Sequence, residues 1–203
     1  MTMKQDGAEV WVTLSLTEML NATNVGTVRH YESAQRNSKE SGGFKEDEFS
    51  GLQIHIQGAL GEVCVAKVLD LYFDGSVNTY SKPDIGKNIQ VRATLKHDGF
   101  LRVVKDDKKD NPDHYYFLVT GYAPYLCVRG WMKGSEAKSN EKHFWSMGGR
   151  PPYFFIPQSE LHPIAIKNRN KWNPDHDLTI EPTDTRNNPE GKSSGSSDDR
   201  LWP

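Results

Sequence analysis

Four side chains in the middle of the chain have types and spacing that could do chemistry together. Glu62 lies halfway along an apolar stretch (49–71), where an ionised carboxylate is costly unless it is paired or binds a cation. Asp84 follows a proline, and Gln90 and Arg92 alternate with apolar residues, so these two share one face of a predicted strand. The polar face is therefore either simply solvated or lines a site where Asp84 meets Gln90 and Arg92. Glu62 either lies at a cleft or forms an internal salt bridge, for example to Arg92.

Two kinds of element must position these residues. The stretch 49–71 predicts a buried helix, in which Gly58 and Gly61 weaken the helix and favour the close approach of another backbone or a ligand. Strands are predicted at 88–96, 100–105, 114–121 and 125–132, by their alternating or apolar patterns. The HDG sequence between the first two strands predicts a hairpin.

The remaining segments predict the organisation of the chain. Residues 10–38 are expected to form two helical segments, 134–145 a short helix, and 153–161 a strand that leads into a helical turn. We expect a helical extension and linker at 1–48, a core at 49–166, and a polar, disordered tail at 167–203. The fold class is then α/β (α+β), with a mixed, mostly antiparallel sheet packed on a central helix.

The core resembles a known family in the segments GALGEVCVAKVL, PDIGKNIQVRAT and YYFLVTGYAPYLCVRGWMKG. Together they look like the PD-(D/E)XK nuclease superfamily, including small nuclease-like proteins of bacteriophage genomes, over about 52–161. The resemblance implies a restriction-endonuclease-like core and metal-dependent phosphodiester hydrolysis of DNA. It also implies that Glu62, Asp84 and Gln90 ligate Mg²⁺, with Mn²⁺ as a substitute, and that Arg92 stands in the place of the family's lysine.

The motif departs from the family pattern and reads D-(X)5-Q-X-R. Gln90 can offer an amide oxygen to Mg²⁺ but adds no negative charge, which lowers the expected metal affinity. Arg92 cannot act as a base, because a guanidinium stays protonated, yet it can hold a phosphate through two hydrogen bonds. The alternative to an endonuclease is therefore a catalytically impaired nucleic-acid-binding module with the same fold.

Further contacts to nucleic acid are expected from Thr94 and Lys96, on the face of Arg92, and from Arg129 and Arg150. For Arg150 the alternative is a structural turn. Basic residues of the predicted strands form either a positive track or a solvated sheet face; they are Arg102, Lys105, Arg129 and Lys133. A homodimer remains open, and a protein-interaction factor that acts through the C-terminal tail is a further alternative.

Composition sets the broad class. The 203 residues suffice for one domain with a tail, the net charge is -2, and the mean hydropathy is -0.71. The charge excludes binding to nucleic acid through global basicity, although a local basic patch stays open. Cys64 and Cys127 lie in apolar runs and are expected to be buried thiols. With no signal peptide or membrane-span pattern, we expect a soluble protein of the cytoplasm, or of the host cytoplasm if the protein is viral.

Overall fold

The computed structural model describes residues 3–6, 8–35, 48–77, 82–105, 113–146 and 151–164. The predicted tail at 167–203 and Arg150 therefore lie outside the described residues. Three helices and eight strands are present in the described part; they are β1 (Met3–Asp6), β2 (Glu9–Thr13), α1 (Leu16–Gln35), α2 (Glu48–Leu69), β3 (Ile89–Thr94), β4 (Leu101–Val104), β5 (Tyr115–Tyr122), β6 (Tyr125–Lys133), α3 (Gly134–Ser139), β7 (Phe144–Trp145) and β8 (Tyr153–Ile156).

The N-terminal segment differs from the prediction of two helical pieces in 10–38. Residues 9–13 form β2, which pairs with β6 in the main sheet, and a single helix follows. Ser15 and Glu18 start that helix with a reciprocal capping box: the Ser15 backbone N–H donates to Glu18 Oε2 at 2.6 Å, and the Glu18 N–H donates to Ser15 Oγ at 3.3 Å. The prediction was wrong for 10–13 because EVWVT is a short alternating strand, with Val10 and Val12 buried.

Helix α2 is the centre of the molecule, as its composition predicts. It packs against α1 at Gly26, where an added Cβ would lie 2.5 Å from the Cα of Ile56. On its other side, Gly61 approaches β3 so closely that an added Cβ would lie 2.7 Å from Ala93 Cβ. The predicted close approach at Gly61 is confirmed, whereas nothing lies within 4 Å of an added Cβ at Gly58.

The main sheet is mixed and mostly antiparallel, in the order β1-β2-β6-β5-β3. Among the described strands, β3 and β5 are the parallel pair, with Gln90 opposite Tyr116 and Arg92 opposite Leu118. Strand β3 is therefore an edge strand. The mixed α+β architecture and the four predicted strands are confirmed, each to within two residues at its ends.

The predicted hairpin between β3 and β4 is wrong. Strand β4 pairs with β8 in a second, three-stranded antiparallel sheet, in the order β4-β8-β7. The connecting loop is held instead by Gln158, whose side-chain amide donates to the carbonyls of His97 at 2.6 Å and Gly99 at 2.9 Å. Long-range pairing has overridden the local turn signal.

Two apolar layers enclose the main sheet. Helix α2 covers one face, with Val91 and Val119 in that layer, and α1 packs on α2. The second sheet and α3 cover part of the other face, where Tyr116 and Leu118 pack with Leu101 and Val103. Across the described ranges, no helix is both long and apolar enough to cross a membrane.

Candidate functional site

Asp84 lies beside the outer edge of β3, because the loop before the strand folds back on it. The Asp84 backbone N–H donates to the carbonyl of Ile89 at 2.9 Å, and Gly86 turns the loop with φ +59. Asp84 Oδ2 accepts the N–H of Val91 at 2.8 Å. The carboxylate thus satisfies a backbone donor on the edge strand, and Asp84 has a structural function whatever else it does.

Glu62 forms a buried salt bridge with Arg29 of α1. The two guanidinium nitrogens of Arg29 donate to Glu62 Oε1 at 2.6 Å and to Oε2 at 2.8 Å, which is a bidentate pair. Arg29 also donates to the carbonyl of Ser76, at 2.8 Å from NH2. Glu62 is 5% exposed. Of the two alternatives for this glutamate, the internal salt bridge is present, with Arg29 rather than Arg92 as the partner.

The electrostatics of Glu62 connect it to Asp84. Burial raises the pKa of Glu62 to about 7, against the lowering effect of the hydrogen bonds from Arg29. The negative charge of Asp84, and to a lesser degree that of Asp74, raises the pKa of Glu62 further. Asp84 therefore lies near enough to Glu62 for its negative charge to disfavour ionisation of the Glu62 carboxyl group.

Gln90 lies on the face of β3 that points away from α2. Because Val91 and Ala93 contact α2 at Gly61, the alternation of the strand places Gln90 and Arg92 on the opposite face. Gln90 is 1% exposed, and its side-chain nitrogen lies 3.4 Å from His114 Nδ1. Glu62 and Gln90 thus approach the edge of β3 from opposite sides of the sheet.

Arg92 reaches around this edge and connects the two sides. Its NH1 donates to the Val91 carbonyl at 3.1 Å and to Gln90 Oε1 at 3.4 Å, and it lies 3.6 Å from Asp84 Oδ2. The guanidinium carbon lies 5.4 Å from the centroid of the Tyr116 ring. The side chains of Asp84 and Arg92 are 20% and 23% exposed. The structure therefore places Asp84, Gln90 and Arg92 together at a partly open sheet edge.

The expected Mg²⁺ ligands do not fit a metal site in this arrangement. Both oxygens of Glu62 accept hydrogen bonds from Arg29, and Gln90 points to the other face of the sheet. Asp84 Oδ2 is engaged by a backbone N–H. In the part of the chain that the structure describes, no group of three or more His, Cys, Asp or Glu side chains is arranged to hold a metal ion.

Of the other expected nucleic-acid contacts, Thr94 ends β3, Lys96 follows it by two residues, and Arg129 has a structural role in β6. Lys96 is exposed, and Thr94 Oγ1 accepts its backbone N–H at 3.3 Å. Arg129 occupies a β-bulge opposite Leu118 and Val119; its guanidinium donates to Thr120 Oγ1 at 2.6 Å and to Glu9 Oε1 at 2.5 Å. Arg129 is thus already paired with an acid.

The sequence analysis missed Arg29 and His114 as members of the site. A signal for Arg29 was present: it follows Gly26 by three residues on a helix, and residues at this spacing share a face. Gly26 is the point where α1 meets α2, so a cation on the same face of α1 lies over the buried Glu62. His114 carried no comparable signal, because its contact with Gln90 depends on the parallel pairing of β3 with β5.

The two cysteines are buried free thiols, as expected. Burial raises the pKa of both, that of Cys127 to about 12, so neither is a thiolate near neutral pH. Comparison of the chain with family models, with curated proteins and with solved structures finds no match in any of the three.

Proposed function

We propose that this protein binds nucleic acid at the outer edge of β3, with Arg92 as the residue that contacts phosphate. The observation that carries the proposal is the loose ion pair between Arg92 and Asp84, 3.6 Å apart at a partly exposed edge. Exposed ion pairs of this kind contribute about 0–1 kcal/mol. A phosphate that accepts two hydrogen bonds from the guanidinium binds it more strongly than this carboxylate does.

The sequence motif supports nucleic acid as the source of the phosphate. In the resemblance to PD-(D/E)XK nucleases, Asp84 and Gln90 stand at the positions of metal ligands, and Arg92 stands at the position of the lysine that orients or activates the water attacking the phosphodiester. Because the net charge of the protein is -2, a local positive group, rather than the overall charge, must attract the phosphate. The proposal corresponds to the nucleic-acid-binding module that the sequence analysis raised as the alternative to an endonuclease. Its proposed fold is a restriction-endonuclease-like core, and its expected partner is DNA.

Phosphodiester hydrolysis at the same edge is the second candidate. One observation favours it: the charge of Asp84 helps to raise the pKa of Glu62, and a divalent cation between two such carboxylates would relieve their repulsion. The bidentate contact of Arg29 with Glu62 opposes it. We therefore derive no catalytic step through a metal ion.

Binding in EDTA tests the first proposal. Fluorescence anisotropy with matched single-stranded DNA, duplex DNA and RNA should show binding to at least one of them. Arg92→Gln should weaken that binding by about 10- to 100-fold, the effect of losing a charge-assisted contact. The matched control is Lys142→Gln, which removes one positive charge from an exposed pair with Glu160 and should change the affinity less than about twofold. Equal affinities for wild type and Arg92→Gln would contradict the proposal.

Cleavage assays test the second candidate separately. Supercoiled plasmid and single-stranded circles would be incubated with wild type, Asp84→Asn and Glu62→Gln, in Mg²⁺, Mn²⁺ or EDTA. Metal-dependent nicking that both substitutions abolish would establish hydrolysis and place it at this edge. Binding of nucleic acid without cleavage in any of the metal ions would contradict hydrolysis and support the binding module.

A further inference from the structure

The second sheet covers only part of the main sheet, on the face opposite to α2, and the strand register identifies residues on the remaining part. Val12 of β2 and Leu126 of β6 pack on the helical side. Trp11 and Tyr125 precede them by one residue, so the alternation along each strand places both rings on the opposite face. Tyr122 lies opposite Tyr125 in the pairing of β5 with β6 and shares this face.

These rings are accessible to a partner. Tyr122 is 63% exposed and Tyr125 is 58% exposed, and Trp11 is exposed in part. Aromatic side chains bury large apolar areas when they find a partner, so rings that lie in solvent together on one face indicate a binding surface.

Basic side chains hold the indole ring of Trp11 in place. The guanidinium carbon of Arg129 lies 5.4 Å from the centroid of this ring, and Arg129 also donates to His97 Nδ1 at 3.2 Å. The ring of His97, from the loop after β3, has its centroid 6.2 Å from that of Trp11. One aromatic surface is thus formed by Trp11, His97, Tyr122 and Tyr125, and its centre is preorganised for a planar ligand.

The charges on the same face suit an anionic partner. Lys4 lies opposite the tryptophan in the pairing of β1 with β2 and is exposed, and Lys96 is exposed in the loop that leaves β3. The acids of this face, Asp6 and Glu9, lie opposite each other where β1 ends and β2 begins, at the ends of these strands farther from the tyrosines. Glu9 is moreover neutralised by its salt bridge with Arg129.

The aromatic surface lies a short distance from the proposed phosphate contact at Arg92. Arg92 and Thr94 point to the same face of β3, and Thr94 lies opposite Thr120, which precedes Tyr122 by two residues. Four residue steps along the strands and one strand spacing separate Arg92 from Tyr122, which amounts to about 14 Å between their Cα atoms. A strand of nucleic acid with one phosphate at Arg92 therefore extends to the rings within a few nucleotides.

We propose that the aromatic surface stacks the bases of single-stranded nucleic acid whose backbone Arg92 contacts. Every base has a π-face, whereas the bases of a duplex stay stacked on one another, so the surface selects single strands over duplexes without selecting a sequence. This inference rests on the proposed nucleic-acid binding and deepens it by naming the class of substrate.

Substitution of the exposed tyrosines tests the surface. Tyr122→Leu and Tyr125→Leu should each weaken binding of a single-stranded oligonucleotide of about 12 nucleotides by about 10-fold, because a stacked base is lost. Tyr122→Phe should bind as wild type does, since it keeps the ring. The matched control is Tyr31→Leu, a tyrosine of α1 that is also 63% exposed, and it should change the affinity less than about twofold.

A change in the ligand gives a test that does not depend on the folding of a variant. The probes are one single strand, the duplex of the same sequence, and a strand of equal length and charge in which abasic sites replace the internal nucleotides. Wild type should bind the single strand about 10-fold or more tightly than either other probe, as followed by anisotropy. This preference should fall to less than about threefold in Tyr122→Leu and persist in Tyr31→Leu.

The failures of the two proposals differ in these experiments. If Arg92→Gln weakens binding but wild type binds the abasic strand as tightly as the intact one, stacking is overturned and the proposed function stands. If Tyr122→Leu weakens binding of the single strand but Arg92→Gln does not, the aromatic surface stands and the phosphate contact at Arg92 is overturned. If wild type sediments as a dimer that Tyr122→Leu dissociates with no change in affinity, the surface is a contact between two copies and stacking is overturned. If wild type binds none of the probes, both proposals are overturned.

Discussion

Glu62 and Arg29 form a buried charge pair in which each member depends on the other. Arg29→Met should destabilise the protein by about 3–5 kcal/mol, because it leaves the carboxylate buried without a partner. Chemical unfolding measures this loss. The double variant Arg29→Met/Glu62→Leu should recover most of it, since both charges are then removed. Lys142→Met, in the exposed pair with Glu160, should cost less than about 1 kcal/mol. An Arg29→Met variant as stable as wild type would contradict this assignment.

The raised pKa of Glu62 makes stability depend on pH. Since its pKa in the folded state is about 7 and its ordinary value is 4.5, the folded protein binds more protons than the unfolded chain between these values. Stability should therefore fall as the pH rises through this window, by at most about 1.4 kcal/mol per pH unit from this group. Unfolding free energies of wild type minus Glu62→Gln, measured from pH 5 to 8, isolate the effect. A difference that stays flat or increases with pH would show that Glu62 keeps an ordinary or lowered pKa.

One alternative from the sequence was that Asp84, Gln90 and Arg92 lie together at one site, and the structure does bring these side chains together. This grouping could be predicted because it depends on local features of the sequence. The loop that follows Pro83 places Asp84 beside β3, and the period-2 alternation of the strand places Gln90 and Arg92 on one face. The partner of Glu62 was not accessible in the same way. The pairing of Glu62 with Arg29 depends on how α1 packs against α2. The close contact of Gly26 with Ile56 sets this packing, and the sequence alone does not reveal which residues meet there.

At the scale of elements, Gly58 and Gly61 of α2 form a matched pair for a test. Gly58→Ala should stabilise the protein by about 0.5–1 kcal/mol, because an added Cβ meets nothing within 4 Å and alanine favours the helix. Gly61→Ala should destabilise it by about 1–3 kcal/mol, because its Cβ would lie 2.7 Å from Ala93 Cβ and push α2 away from β3. Thermal and chemical unfolding of both variants provide the measurement. Equal effects of the two substitutions would mean that α2 does not pack on β3 through Gly61.

Strands and helices differ in how far their pairing could be predicted. The bounds of α2 and of the strands at 89–94 and 125–133 follow from apolar periodicity, which is a local property. The partner of β4 could not be predicted from local periodicity, because β4 pairs with β8, which lies about fifty residues further along the chain. On the outer edge of β3, the Asp84 side chain also accepts the N–H of Val91, so this donor is not open to the hairpin partner that HDG suggests.

At the scale of the whole molecule, the main sheet lies between the helical layer and the second sheet, and β3 forms one of its edges. Glu62 comes from the helical layer and Arg92 from the edge strand. On the helical side Arg29 already pairs with Glu62 at 2.6 Å, whereas the pair of Arg92 with Asp84 is longer, at 3.6 Å, and partly exposed. With a net charge of -2, the proposed attraction of a phosphate to this edge must be local, and Arg92 is the residue proposed to supply it.

The salt dependence of DNA binding tests the central claim most directly. Affinity would be measured in EDTA between about 50 and 200 mM salt, for wild type, Arg92→Gln and Lys142→Gln. We predict that Arg92→Gln weakens binding and reduces the slope of log affinity against log salt by about one, the loss of one phosphate contact, while Lys142→Gln leaves the slope unchanged. A slope for Arg92→Gln equal to that of wild type would contradict the claim that this arginine holds a phosphate.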